Sequence, residues 1–319
     1  MLLTIALQLI LPLALLTVLV LATPRNWLGL VSLILAISSL LVAYSVFGLW
    51  TFLPWWTVLL LRSMLILCVA AVLVKRRSTI SSVLPRRAGA WCAAALFLVL
   101  AVLAFIPAPA ALSGRTVPPG TTVELAFPLR EGSFMVINGG SHRLVNAHLA
   151  ILDATDPRAK AFRGQAHAVD IVQLGSFGLR ARGLRPQDPA AYAIYAATVL
   201  APCSGEVVAA VDGLPDLRVP EVDRANVAGN HVLLRCGSFD VLLAHLRPGS
   251  LKVFAGSLVE TGDVLGEVGN SGNTDEPHLH IHAQTRGSAE APFSGEPLPM
   301  LFRGRYLVRN ERIRTDSTR

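Results

Sequence analysis

Apolar and polar positions follow two different rhythms along this 319-residue chain, and the change falls near residue 112. In the first third the apolar residues are nearly continuous. The runs at 2–22, 27–49, 54–74 and 89–111 are each long enough to cross a hydrocarbon core about 30 Å thick at about 1.5 Å per helical residue. They predict an all-α membrane domain over residues 1–111 with four transmembrane helices. A secretory signal peptide competes for the first run, although that run lacks a basic start and a small-residue cleavage site. Residues 112–122, "LSGRTVPPGTT", carry the Pro and Gly of a linker. From Val123 onward the period falls to two. Runs at 123–127, 133–138, 168–173, 205–211, 230–236, 239–245, 264–268 and 278–284 read as strands between turns of Gly, Asn, Asp and Pro. The fold class expected is multi-domain: a four-helix transmembrane bundle, then a mostly β domain over 123–319. The stretch 175–197 reads as an irregular insertion long enough to wall a groove.

The mean hydropathy of +0.54 belongs mainly to the first third, and the charge is just as uneven. Before Glu124 there are eight basic residues and no acidic ones; from there on 20 basic residues face 21 acidic. The net charge of +7 is therefore not a nucleic-acid signal, because the β domain is nearly neutral. The loop "VKRRSTISSVLPRR" marks a cytoplasmic side, which places both termini and the whole β domain outside. Arg62 is the one ionisable residue in the apolar runs, thin material for a transporter or channel. Cys68 and Cys92 fall in membrane segments. Cys203 precedes "GEVVAAV" and Cys236 follows "NHVLLR"; if these runs pair antiparallel, both cysteines lie at one end of the ladder, within disulfide reach. Two small buried thiols are the alternative.

No histidine occurs before residue 142, yet three of the eight lie in "PHLHIH", residues 277–282. On a strand His278, His280 and His282 share one face while Leu279 and Ile281 point into the core. Imidazoles converging in this way, with a carboxylate, suit a zinc site whose fourth position is left to water. A strand with histidines on its solvent face is the bland alternative. His245 ends the apolar run "VLLAHL", and Asp170 stands in "QAHAVDIV".

The stretch "VLLAHLRPGSLKVFAGSLVETGDVLGEVGNSGNTDEPHLHIH", with "GNHVLLRC" before it, resembles the lysostaphin-like (LytM-type) zinc metallopeptidases, which cut peptide bonds of bacterial peptidoglycan. Matching features run from about 165 to 284. The resemblance implies a lysostaphin-like β-sheet of barrel-sandwich type and a Zn2+ cofactor. It assigns zinc ligation to His280 and Asp170, and places His278 and His245 beside the metal water and the oxyanion as catalytic groups. His282 would either buttress His280 or face solvent. One departure stands out: the family's remaining ligand lies four residues before the aspartate, and that position is Ala166. His148 is the favoured substitute, with His167 and then His142 as alternatives. The expected function is a membrane-anchored zinc endopeptidase of the bacterial inner membrane, multi-pass, acting outside the cytoplasm on peptidoglycan peptides. Cell-wall or membrane protein partners are possible, and nucleic acid is not expected. The rival is an inactive module that binds peptidoglycan or regulates another hydrolase. His231 is expected on the surface, away from the cluster. Tyr192 and Tyr195 serve either substrate or packing, and Asn230 and Asn270 read as turn residues.

Overall fold

The computed structural model describes residues 2–152 and 159–316, which divide into two compact units, Met1–Leu112 and Ser113–Arg319. In the first unit three helices are long and apolar enough to cross a membrane: Trp27–Phe47, Thr57–Arg76 and Ala88–Ser113. The first run, expected as a fourth span, contributes the shorter apolar helix Ala6–Leu21 among the described residues. Within it stands Pro12. Having no N–H, it cannot continue the regular ladder, and the chain widens to a π-helical turn over Ala6–Ile10, with the Leu11 N–H on the Ala6 carbonyl. Regular α geometry covers Leu2–Ile5 before this turn and Leu11–Leu21 after it. The helix Trp27–Phe47 begins on Asn26, whose side chain accepts the Gly29 N–H at 2.8 Å. Arg62 bonds to the Ser45 hydroxyl at 2.9 and 3.1 Å, which satisfies a guanidinium in an apolar segment.

The second unit is built on a nine-stranded sheet: β1 Gly132–Asn138, β2 Val169–Gln173, β3 Gly205–Val211, β4 Asn230–Cys236, β5 Phe239–Leu246, β6 Leu258–Val259, β7 Leu279–Thr285, β8 Pro297–Leu298 and β9 Arg312–Thr315. The path is β9-β1-β2-β7-β5-β4-β3-β6, with β8 added to β7 and all pairs antiparallel. It is an open sheet rather than a closed barrel. Within the Gly-rich passage, Val264–Glu267 pairs with Thr198–Leu200 as a separate ribbon. Insertion 175–197 contains two short 3-10 turns, Ser176–Gly178 and Pro189–Ala191.

Alternation gives the sheet two unlike faces. Val136, Ile171, Leu279, Ile281, Leu243, Val241, Val232 and Leu234 pack into the main core, with Leu125, Phe127, Leu265 and Phe302. Asp170, His278, His280 and His282 are on the other face, beside a smaller cluster of Leu233, Leu242, Ala244 and Phe293. Cys203 and Cys236 are joined by a disulfide with Cα atoms 5.9 Å apart and a sequence separation of 33. A loop of that size restricts the unfolded chain enough to contribute about 3–4 kcal/mol. Thermal unfolding should therefore fall by several degrees under reductant, and an unchanged midpoint would argue against this contribution.

Candidate active site

Asp170 is the centre of the polar cluster. On β2 it lies directly opposite His280 of β7, so both side chains rise from the same face. A register shift between Val136 and Asn138 puts Asn138, rather than Ile137, opposite Asp170. The Asn138 amide accordingly donates to Asp170 Oδ2 at 2.9 Å, and Arg309 Nη2 donates to Asn138 Oδ1 at 2.8 Å. His148 Nε2 lies 2.9 Å from Oδ2 and His280 Nδ1 lies 2.9 Å from Oδ1. His278 Nε2 is 3.6 Å from Oδ1. Burial would raise the Asp170 pKa, but the imidazoles of His148 and His278 and the hydrogen bonds from His148 and His280 prevail and hold it well below the usual carboxylate range.

His148 reaches this carboxylate from the 3-10 turn Ala147–Leu152. Asn146, fully buried, sets the turn in place: its amide donates to the carbonyls of Gly140 and Ala168, both at 3.1 Å, while its Oδ1 accepts the His148 N–H at 3.2 Å. Ala168 is two residues from Asp170, so Asn146 fastens the loop directly to the strand that carries the carboxylate. The other two candidates stay away. His167 ends the 3-10 stretch Ala159–His167 and has a buried Nδ1 without a partner among the described residues; burial lowers its pKa. His142 turns its Nδ1 to the Leu144 N–H at 3.2 Å. Among the described residues, the groupings with ligand atoms within 4.8 Å of one another are His148, Asp170 and His280, and His245, His278 and His280.

His245 joins the cluster by a backbone device. Ala244 is opposite His280, so simple alternation would turn His245 toward the main core. Instead the ladder shifts between Asn230 and Val232, and His245 adopts φ +64°, a left-handed conformation uncommon for a side-chain-bearing residue. This bulge re-aims the imidazole, whose ring stands 4.9 Å from His278 and 5.8 Å from His280. Backbone carbonyls then set both tautomers. His245 Nδ1 donates to Ser271 O at 2.9 Å, and His278 Nδ1 donates to Glu276 O at 2.9 Å, so each Nε2 carries the free electron pair. Burial, followed by the neighbouring His278 and His280, pushes the His245 pKa well down and keeps it neutral. The loop that supplies Glu276 O is held by a buried ion pair, with Arg180 Nε and Nη2 each 2.8 Å from the Glu276 carboxylate.

His282 is fully buried, which removes the solvent-facing alternative. Its Nδ1 lies 3.0 Å from His280 Nε2, and its ring stacks on Phe293 at 5.4 Å. His231 is also corrected: it is 7 % exposed rather than a surface residue, and it is on the histidine face of β4. Tyr192 and Tyr195 are engaged in packing, through Pro186 O at 3.2 Å and Asp216 at 2.9 Å. Asn230 and Asn270 pin loops from buried positions, on Leu214 and Leu217. Sequence reasoning missed Asn138, Asn146, Arg180 and Arg309. Of these only Asn146 left a signal, an Asn two residues before an isolated histidine.

The donor set itself is the test for a metal. Two imidazole nitrogens and an ionised, buried carboxylate converge, which is the chemistry that zinc selects. The residues present fit such an ion.

A family model described as peptidase family M23 matches residues 190–292, less than half of the chain. It includes His245, His278, His280 and His282, whereas His148 and Asp170 precede it. Endolysin 2638A of Staphylococcus phage 2638A is 35 % identical over 65 residues, or 20 % of this chain and 13 % of the endolysin. The chain thus spans about an eighth of that relative. The solution structure of lysostaphin is 20 % identical, covering 38 % of this chain and 36 % of that one at a TM-score of 0.25. A putative peptidase M23 from Pseudomonas aeruginosa is 22 % identical, covering 33 % and 42 % at a TM-score of 0.23.

Proposed function

From the premise that this chain carries a domain of peptidase family M23, we propose that it is a membrane-anchored zinc endopeptidase that hydrolyses peptide bonds of bacterial peptidoglycan. The observation that carries this reading is the arrival of His148 at Asp170. It supplies the donor that Ala166 lacks and completes a set of three with His280.

In this reading His148 Nε2, Asp170 and His280 Nδ1 hold the zinc. An ion held there would supply Lewis acidity toward the scissile carbonyl and would lower the pKa of a coordinated water to around 7. His280 then has its Nε2–H free to donate to His282 Nδ1, which fixes the orientation of the ligand. His278 and His245 present unshared pairs at Nε2 toward the same point. One of them accepts the proton of the attacking water and delivers it to the leaving amine. The other, once protonated, donates to the developing oxyanion. Rings whose Nδ1–H is held by a backbone carbonyl have Nε2 turned to the first of these steps without rearrangement.

The location follows from the last two helices and does not depend on the first apolar run. Lys75 and Arg76 close the helix Thr57–Arg76, and Arg77, Arg86 and Arg87 are in its connection to Ala88–Ser113; a cytoplasmic connection sends the following domain outward. The Cys203–Cys236 bond supports that side, because disulfides persist in oxidising compartments. The test is release of soluble muropeptides from purified sacculi by the full-length protein in detergent. Release should stop with a chelator and return on adding zinc. Zinc-loaded protein that binds sacculi and cuts nothing would favour a regulatory module instead.

A further inference from the structure

Glu276 is the carboxylate nearest in sequence to His278, and its two ends have different partners. Its main-chain carbonyl accepts the His278 Nδ1–H at 2.9 Å and the Thr274 hydroxyl at 2.8 Å. Its side chain is turned away and taken up by Arg180, whose Nε meets Oε1 and whose Nη2 meets Oε2, each at 2.8 Å. Both residues are buried, so this carboxylate is closed to substrate and to any water it could activate.

The pair bridges two segments that leave the sheet together. β2 and β7 are antiparallel neighbours with Ile171 opposite Leu279, so the insertion that follows β2 and the loop that precedes β7 lie at one end of the ladder. Arg180 is fixed within the insertion before it reaches across. Its carbonyl accepts the Ala193 N–H and the Ala191 carbonyl accepts the Arg182 N–H, both at 2.8 Å, which ties 180–182 to 191–193. Its Nη2 also donates to Leu184 O at 3.1 Å, and its guanidinium stands 5.8 Å from the centre of the Tyr192 ring. A second pair, Arg185 with Asp275 at 2.6 Å, joins the same segments at the rim, where exposure leaves it little strength.

We propose that Arg180 is a positioning residue for His278. A carbonyl only accepts, so the place of Glu276 O decides which nitrogen of His278 carries the hydrogen. With Nδ1–H held there, Nε2 keeps its unshared pair toward the reacting centre. The bidentate fork fixes Glu276 in two directions at once, a constraint that a single contact cannot impose. Stability does not account for the pair, because taking two charges out of water costs about as much as their attraction returns. The insertion 175–197 is thereby part of the catalytic apparatus, although the buried guanidinium does not touch substrate. The inference rests on the peptidase reading for the step that His278 performs.

The test uses full-length protein in detergent, with soluble muropeptides from digested sacculi as substrate. Arg180→Met combined with Glu276→Met removes both charges and leaves neither unpaired, so the fold survives. This double variant should keep its zinc and hold KM within about twofold, while kcat falls by about 10- to 100-fold, the worth of a misplaced catalytic group. Arg180→Lys reaches one oxygen without the fork and should lose less. The second readout is the 15N spectrum of labelled histidine without substrate, with His278 assigned by its absence from His278→Ala protein. Wild-type His278 should show a protonated Nδ1 and a bare Nε2. In the double variant the hydrogen should distribute between the two nitrogens, while His245, which leans on Ser271 O, stays as it was. An unchanged kcat, an unchanged His278 signature, or equal changes at His245 and His278 would overturn the positioning role. A wild-type protein that cuts nothing while the His278 signature still shifts in the variant would overturn the peptidase reading and leave the positioning role standing.

Discussion

His280→Ala should strip the protein of zinc, lowering the content from about one ion per chain to near none, and abolish muropeptide release. His280 is the residue common to both groups of candidate ligands, so removing it breaks each of them. The substitution also leaves Asp170 Oδ1 without its 2.9 Å partner and His282 Nδ1 without its 3.0 Å partner. Metal analysis of the purified variant measures the effect directly. His148→Ala should behave in the same way, because it removes the Nε2 that stands in for the missing donor at Ala166. Retention of a full zinc complement by either variant would refute the ligand set.

His278→Ala should have the opposite profile, with zinc retained and kcat reduced by about 10² to 10⁴, the usual worth of a positioned acid–base group. Its Nε2 is 3.6 Å from Asp170, farther than either proposed ligand, and its Nδ1 is committed to Glu276 O. The ring is therefore aimed at the site by the backbone without being needed to hold the ion. This variant also separates the two possible trios. If zinc were lost on removing His278, the metal would belong to His245, His278 and His280, and His148 would be left a bystander. His245→Ala should match His278→Ala in rate, and the double variant should lose little more than either, since groups that serve one step are not additive.

Much of the sheet could be read from alternation. The runs at 205–211 and 230–236 coincide with β3 and β4: β3 alternates between buried and more exposed positions, whereas β4 is buried on both faces and shows itself as a short apolar run between turns. Strands such as Pro297–Leu298, Met300–Phe302 and Arg312–Thr315 could not be read. They are two to four residues long, too short to show a period, and they exist because partners elsewhere in the chain offer free edges. The first membrane run shows the converse. Its hydropathy is that of a full span, but one proline divides the hydrogen-bond ladder, and composition carries no trace of that.

For the site the division is sharper. The sequence by itself determined that His278, His280 and His282 share a face and that Leu279 and Ile281 occupy the other, because period-two geometry is local to five residues. Only the tertiary structure brought His148 to Asp170, since Asn146 had to tie its loop to Ala168 across the fold. Only a register shift between β4 and β5 turned His245 from the core to the cluster. His231, which alternation places on a face without saying whether that face is wet, was buried by Phe162 and Phe293 from distant loops. Local backbone periodicity sets the direction of a side chain, whereas its partners depend on loops and registers that form only when the whole domain closes.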